Sequence, residues 1–487
     1  MDEHTFDVIV VGCGIAGLSA AVSAREGGAR VAILERAPIE ERGGNTRHTG
    51  SWMRMKSETE VSDDFEEHFA VNGGGYIDPT LLGRALMSPE QQPAILRAMS
   101  YVDPHVISTF AAEAPGTLAW LKTFGIRFIP LPNAFPTSVQ PRIQPSGGGL
   151  ALVEALASYF EKNGGKIFYE TTARSLIQDA NGAVVGVNAV TRNNRPLQFH
   201  AGSVVLGSGG FQGNAEMMTQ YIGQRSVHLR AMSIGSHYNK GEGHRMAFDV
   251  GAAPCGDYGL WHASPMDPRT ARPGSSVYIY PYGIIVNNRS RRFTDEAPGS
   301  TDETYESIAR EVASQPNGIA YVIVDAKLED VPNYKLAIYT EQPAIEAASL
   351  TELAGKLGIP AAALQTTVSA YNSGCVPGPF NPRQMDNLST QGVEPAKSHW
   401  ARTIDAPPFK AYPIVSSIVF TFGGLKVNTR AQVINTDGDP IPGLYAAGET
   451  MGTYYGAYTG ATSVMKGAVF GRIAGLDAAK RTTQTDA

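Results

Sequence analysis

Apolar positions cluster in short unbroken runs near both ends of the chain and follow mixed periods in its middle. Residues 6–11 form one such run. It stops at Gly12-Cys13-Gly14-Ile15-Ala16-Gly17, is followed by an Ala-rich stretch to about residue 26, and gives way to a second run at 30–34 that ends on Glu35. Runs of this length, apolar on both faces, predict buried parallel strands around a helix. Similar strands are expected at 166–169, 173–178, 184–190 and 203–206, with Asn181-Gly182 as a hairpin turn. Apolar residues at Leu150, Leu152, Val153, Leu156 and Phe160 predict an amphipathic helix over 150–162. Residues 60–125 read as largely helical, with loops at Asn72-Gly73-Gly74-Gly75 and Asp103-Pro104, and 126–148 is rich in proline and glycine. The middle, about 260–415, has strand-like pieces at 277–286 and 320–324, helices around 344–373 and a Pro/Asn-rich connector at 376–395. The C-terminal part returns to the first style, with a strand into Gly448-Glu449 and a long helix over 462–479.

Strand, glycine turn, helix and acid-terminated strand suit a dinucleotide. Gly12 permits the tight turn, Gly14 the approach of a pyrophosphate, and Gly17 the packing of helix on strand. The helix N-terminus, opened by Ile15 and Ala16, offers free N–H groups and the positive end of its dipole. Glu35, 18 residues beyond Gly17, stands where an acid accepts hydrogen bonds from ribose hydroxyls and disfavours a 2′-phosphate. The motif alone does not separate NAD from FAD. Further glycine turns do: Gly207-Ser208-Gly209-Gly210 and Gly448-Glu449 each follow a strand, and returning strands of this kind fit the long FAD molecule.

Bulk composition narrows the class. The 487 residues suffice for two or three domains, and a net charge of −6 without a basic run gives no sign of nucleic-acid binding. Cys13, Cys255 and Cys375 match no metal or disulfide spacing. The acidic start is no signal peptide, and no stretch reaches about 18 apolar residues, so a cytoplasmic protein without a transmembrane segment is expected.

The blocks VVGCGIAGLSAA, GGN, GGGLALVEAL, GKIFYETTARSLIQDANGAVVGV, VVLGSGGF, KGEGHRMAFDVGAA, FTFGGLKVN, IPGLYAAGE and GAVFGRIAG occur in the order of the fumarate reductase and succinate dehydrogenase flavoproteins, which the chain resembles over nearly its whole length. The segments Arg42–Arg47, Asp267-Pro268, 317–321 and 458–463 most resemble the tricarballylate dehydrogenase subgroup. The resemblance implies an α/β fold: a three-layer FAD domain from residues 1–255 and 416–487, with a smaller α+β capping domain, 256–415, closing over the flavin. It implies that Glu35 and Arg36 serve the adenosine end and Glu449 the ribityl chain. Gly44, Asn45, Thr46, Ala173, Ser208, Gly209 and Gly448 would line the cofactor, and Ser463 and Val464 would offer N–H groups to the pyrimidine end. Family members with covalent flavin carry a histidine about where Asn45 stands, so non-covalent FAD is expected, with His48 as the rival attachment point.

The reaction half departs from the family. His262 matches a substrate-binding histidine, but Val419-Phe420 stand where a second one is expected. No arginine follows Phe293 where the proton-delivering arginine should lie, a relay glutamate is replaced around Tyr280, and the C-terminal carboxylate-binding arginine gives way to Tyr454-Tyr455-Gly456-Ala457-Tyr458. A fumarate-type relay therefore does not carry over. Tyr458-Thr459-Gly460-Ala461 resembles the Tyr-x-Gly-Ala segment of ketosteroid dehydrogenases, in which a tyrosine hydroxyl and a glycine N–H polarise a carbonyl. The expected reaction is oxidoreduction of a CH–CH bond beside a carbonyl or carboxylate. Tyr458, His262 and Tyr280 are the catalytic candidates, and Arg47, Arg54, Tyr278, Tyr454, Tyr455 and Gly460 the substrate contacts. Asp302 and Glu303 read as a solvated helix start. Tricarballylate-like polycarboxylates and cyclic ketones or enones are the two substrate classes. Electrons must leave through a separate redox protein, a quinone or oxygen, and a flavin-bearing subunit of a larger complex is the alternative.

Overall fold

The computed structural model describes residues 2–73, 83–131 and 142–485. The loops expected at Asn72–Gly75 and 126–148 lie partly outside the described residues.

A six-stranded sheet runs in the order Gln432–Ile434, Pro440–Ala446, Ser203–Leu206, Val8–Val11, Val31–Leu34, Lys166–Phe168. All its neighbours are parallel except the first pair. Every residue of Val8–Val11, Val31–Leu34 and Ser203–Leu206 is buried, which explains their unbroken hydrophobicity: both faces of the sheet are covered. Helices Ile15–Glu26, Gly148–Lys162 and Ser463–Thr485 pack together on one side. On the other side lies a second sheet built from Asp2–Thr5, Pro196–His200, Val184–Thr191 and Thr171–Gln178. The result is the three-layer α/β arrangement.

The chain's two ends meet in one helix crossing. Cβ atoms on Gly471 and Gly475 of the last helix would lie 2.3 and 2.1 Å from the carbonyl oxygens of Ala16 and Ala20 in the first. Backbone therefore rests on backbone. That contact holds the start of Ser463–Thr485 beside the glycine turn.

The middle builds another sheet around the ten-residue strand Phe409–Ile418, which pairs with Ile319–Val324, Ile345–Ala347, Pro265–Met266 and, in parallel, Arg230–Ala231. This strand runs straight through residue 415, where a domain division was expected. The strand expected at 277–286 is only Ile284–Asn287, because Tyr280–Tyr282 is a 3-10 turn. Pro281 lacks the N–H that a ladder needs. Around 344–373 the helices are Leu350–Leu357 and Ala361–Gly374, separated by Gly358 at φ +68° and Pro360, while Ile345–Ala347 is an edge strand.

Helix Thr301–Ala313 opens with a capping box in which the Ser300 N–H and hydroxyl both donate to Glu303. Glu303 is therefore a cap. No described helix is long and apolar enough to cross a membrane.

Gly471→Ala should lower the melting temperature although alanine is the better helix former by about 1 kcal/mol. Gly116→Ala, inside helix Pro104–Lys122 with nothing within 4 Å of the added methyl, should raise it. Equal shifts in thermal melts would contradict the backbone contact.

Candidate functional site

One cavity of about 500 Å³ extends from Glu35 to Tyr278 and Tyr339. At its first end the glycine turn is locked by close approach. Gly12 has φ +102°, and its Cβ would lie 2.4 Å from the Gly207 carbonyl oxygen; a Cβ on Gly17 would lie 1.9 Å from that of Gly12. Gly17 thus serves packing and does not line the cavity. Gly14 differs: a Cβ there meets only ordinary contacts with Thr46 and Gly43, so the space its small size leaves belongs to the cavity. Glu35 accepts the Cys13 N–H at 2.7 Å and the Ala37 N–H at 2.8 Å. Burial pushes its carboxyl above the usual range, against the pull of those N–H groups. The Ile15 N–H at the helix start donates to the Thr46 hydroxyl at 3.1 Å.

Gly44, Asn45, Ala173, Ser208, Gly209 and Gly448 also line the wall. Arg36 lines it too, with its guanidinium held by Glu242 and the Tyr238 carbonyl, each at 3.0 Å. Asn45 is held by protein: its amide nitrogen donates to the Val419 carbonyl, and its oxygen accepts from Ser233 and Ser236. His48 lines the cavity, with its pKa lowered by burial. Glu449 accepts the N–H and hydroxyl of Thr421 at 2.9 and 3.1 Å. Burial raises its carboxyl to about 7. Ser463 and Val464 at the start of the last helix complete this part.

The far end is an aromatic chamber built on one buried acid. Glu306 accepts His262 Nδ1 at 3.0 Å, the Tyr458 N–H at 3.3 Å and the Arg310 guanidinium. Because Glu306 holds three donors as an acceptor, His262 Nδ1 carries the proton and Nε2 is its other reactive position. The His262 and Tyr458 rings lie 4.3 Å apart, with Phe420 and Tyr454 against them. The Tyr458 hydroxyl accepts the N–H groups of Thr462 and Ser463, both at 3.0 Å, and donates to Ser463 Oγ. It sits on the N-terminus of the last helix. Tyr278 bonds Ser264 at 2.6 Å. Burial holds the phenols of Tyr278, Tyr305 and Tyr454 above their usual pKa, so they stay neutral donors.

Five expected contacts fall outside this wall. Tyr280 is fully buried and bonds Thr304, because the 3-10 turn breaks the two-residue period that would have aligned it with Tyr278. Tyr455 turns to Ser100, Cys255 and the Gly256 N–H. Arg47 is neutralised by Glu154 at 2.9 Å, and the buried Arg54 by the half-buried Asp64. Gly460 lies behind the wall, against Arg142. Asp302 is no solvated residue: it holds Arg142 at 2.5 Å.

Sequence reasoning missed Arg142, Tyr305, Glu306 and Lys466. Asp302, Glu306 and Arg310 recur every four residues along one helix, a spacing that would have marked a shared face. Arg142 carried no such signal.

A family described as an FAD binding domain matches residues 7–464. NADH:acrylate oxidoreductase of Vibrio harveyi is 29% identical over 98% of this chain, which spans only half (50%) of that protein's length. Urocanate reductase of Eggerthella lenta is 29% identical over 97% of this chain and 74% of its own. Among solved structures, a 3-ketosteroid-Δ4-(5α)-dehydrogenase from Rhodococcus jostii superposes with a TM-score of 0.70 at 25% identity, covering 98% of both chains. The chain belongs to the FAD-binding family of the fumarate reductase and succinate dehydrogenase flavoproteins, and FAD is its cofactor. The cradle fits that group: an acid at one end, a glycine-lined helix start, and a second buried acid, Glu449, farther along the same long cavity.

Glu35→Gln should weaken FAD binding roughly tenfold or more, the scale of a hydrogen bond to a charged group. Flavin content after dialysis checks this; full retention would contradict a ribose-binding role.

Proposed function

We propose that this chain catalyses FAD-dependent oxidoreduction of a carbon–carbon bond next to a carbonyl or carboxylate. The observation that carries the reading is the continuity of one cavity from the nucleotide cradle at Glu35 into the chamber of His262, Tyr454 and Tyr458. FAD supplies a carrier for the hydride. The chain's own residues handle the rest. Tyr458, its oxygen seated against the Thr462 and Ser463 N–H groups, would shift its one hydroxyl proton from Ser463 Oγ to the substrate oxygen and so stabilise charge developing there. His262, oriented by Glu306, presents Nε2 to take or give the proton on the neighbouring carbon. Residues 256–415 close over this end and keep water out. Relatives named for acrylate and urocanate support a reaction at a C=C bond.

The polycarboxylate class draws on the sequence resemblance. Cyclic ketones or enones form the second class, favoured by the tyrosine-lined chamber and by the ketosteroid dehydrogenase of matching length. FAD is held without a covalent bond, since Asn45 stands where the covalently flavinylated members carry a histidine and its carboxamide is not a nucleophile. Electrons enter or leave through a separate carrier.

Anaerobic mixing of holoenzyme with polycarboxylates, saturated ketones and saturated monocarboxylates should bleach the flavin with members of one class; bleaching by none would overturn the reading. Tyr458→Phe should slow that bleaching roughly 10²-fold, the scale of a lost oxyanion donor, and an unchanged rate would remove Tyr458 from the chemistry. Acid precipitation should leave the yellow colour in the supernatant; colour in the pellet would point to His48.

A further inference from the structure

Arg142 is the one arginine that lines the chamber end of the cavity among the described residues. It arrives from a segment unrelated to those in which the family arginines were sought. The bridge between Met53 and Ile143, with N–H···O bonds of 2.8 and 3.2 Å in both directions, sets Arg54 and Arg142 opposite each other. Their fates differ. Arg54 pairs with Asp64 outside the cavity, and its buried Nε has no hydrogen-bond partner among the described residues. Arg142 reaches the cavity with its side chain only 4% exposed, anchored by one Nη2 bond to Asp302. Its Nε–H has no hydrogen-bond partner among the described residues.

A guanidinium has five N–H donors. An unspent donor in a buried position is costly, and of the two arginines only Arg142 lines a cavity in which a ligand could take it. The surroundings preserve room for one. A Cβ on Gly460 would come 3.2 Å from Arg142 Nη2, so glycine there keeps the guanidinium in place. Tyr305, Tyr458 and Ala461 share the same wall. The other cations of the cavity are committed elsewhere: Arg36 to Glu242, and Lys466 to the Met451 carbonyl and Thr453 hydroxyl. His48 belongs to the cofactor part and His262 to Glu306.

We infer that Arg142, positioned by Asp302, binds a single carboxylate of the substrate, and that the substrate is a monocarboxylate with an apolar or ring-shaped body. This rests on reading the chamber as the substrate site. Three carboxylates would exceed the one arginine available, whereas the tyrosines and Phe420 suit an uncharged body. The planar fork gives two parallel bonds to a carboxylate, which a lysine does not reproduce. Asp302 lies on the capping helix and Arg142 outside it, so the pair also ties the cap to the site.

The test is a titration of holoenzyme with cyclohexanecarboxylate, its neutral amide cyclohexanecarboxamide, and tricarballylate, read by perturbation of the flavin spectrum. The wild type should bind cyclohexanecarboxylate more tightly than the amide or tricarballylate. Arg142→Gln should weaken the acid by about tenfold to a hundredfold and the amide less than about twofold, with flavin content unchanged. Arg142→Lys should recover part of the loss, and Asp302→Asn should reduce the preference for acid over amide. Equal loss of acid and amide, tighter binding of tricarballylate, or no binding of cyclohexanecarboxylate by the wild type would each overturn the inference. Because a shift of the oxidised flavin bands on binding is distinct from their bleaching on turnover, an enzyme that discriminates acid from amide yet bleaches with no substrate would sink the proposed reaction and leave the Arg142 assignment standing.

Discussion

The contact on which the rest depends is the crossing of the first and last helices, where Gly471 and Gly475 rest on the backbone of Ala16 and Ala20. It is steric, and it joins segments more than four hundred residues apart in sequence. Through it the glycine turn that starts the cradle and the helix start at Ser463 become parts of one wall. Glu449, just before that helix, is drawn into the same cavity. The Tyr458 hydroxyl then finds the N–H groups of Thr462 and Ser463. A side chain at either glycine would separate these groups, and no local feature of the loops would restore them.

Against this frame the second half contributes buried charge. Glu306, His262 and Arg310 form one network, and Asp302 with Arg142 another, both hung on a single capped helix. Burying such pairs adds little to stability, because desolvation offsets most of the attraction, while removing one partner costs roughly 3–5 kcal/mol. Their value lies in orientation. Glu306 fixes which His262 nitrogen carries the proton, and Asp302 fixes where the Arg142 fork points.

Much of the fold was legible in the sequence because strands buried on both faces announce themselves as unbroken apolar runs, and because glycine turns sit at their ends. In the cofactor half those signals gave the glycine turns and Glu35, and the family resemblance the other residues; of all of them only Gly17 does not line the cavity, and it packs instead. The reaction half was less legible. Tyr278 and Tyr280 share a period on paper, and a 3-10 turn around Pro281 separates them in space. Arg47 and Arg54 looked available because their partners Glu154 and Asp64 become neighbours only after folding. Arg142 lies at the edge of a Pro/Gly-rich stretch without periodicity, and only pairing with a distant segment turns it inward.

The central claim is that hydride moves between the substrate carbon and FAD at the Tyr458 and His262 end of the cavity. Stopped-flow bleaching of the flavin, with a saturated carbonyl or carboxylate substrate deuterated at the carbon β to that group, tests it most directly. The account predicts severalfold slower bleaching with the deuterated compound and loss of bleaching in His262→Ala. Identical rates for the two isotopic forms under conditions where chemistry limits bleaching, or undiminished bleaching in His262→Ala, would contradict it.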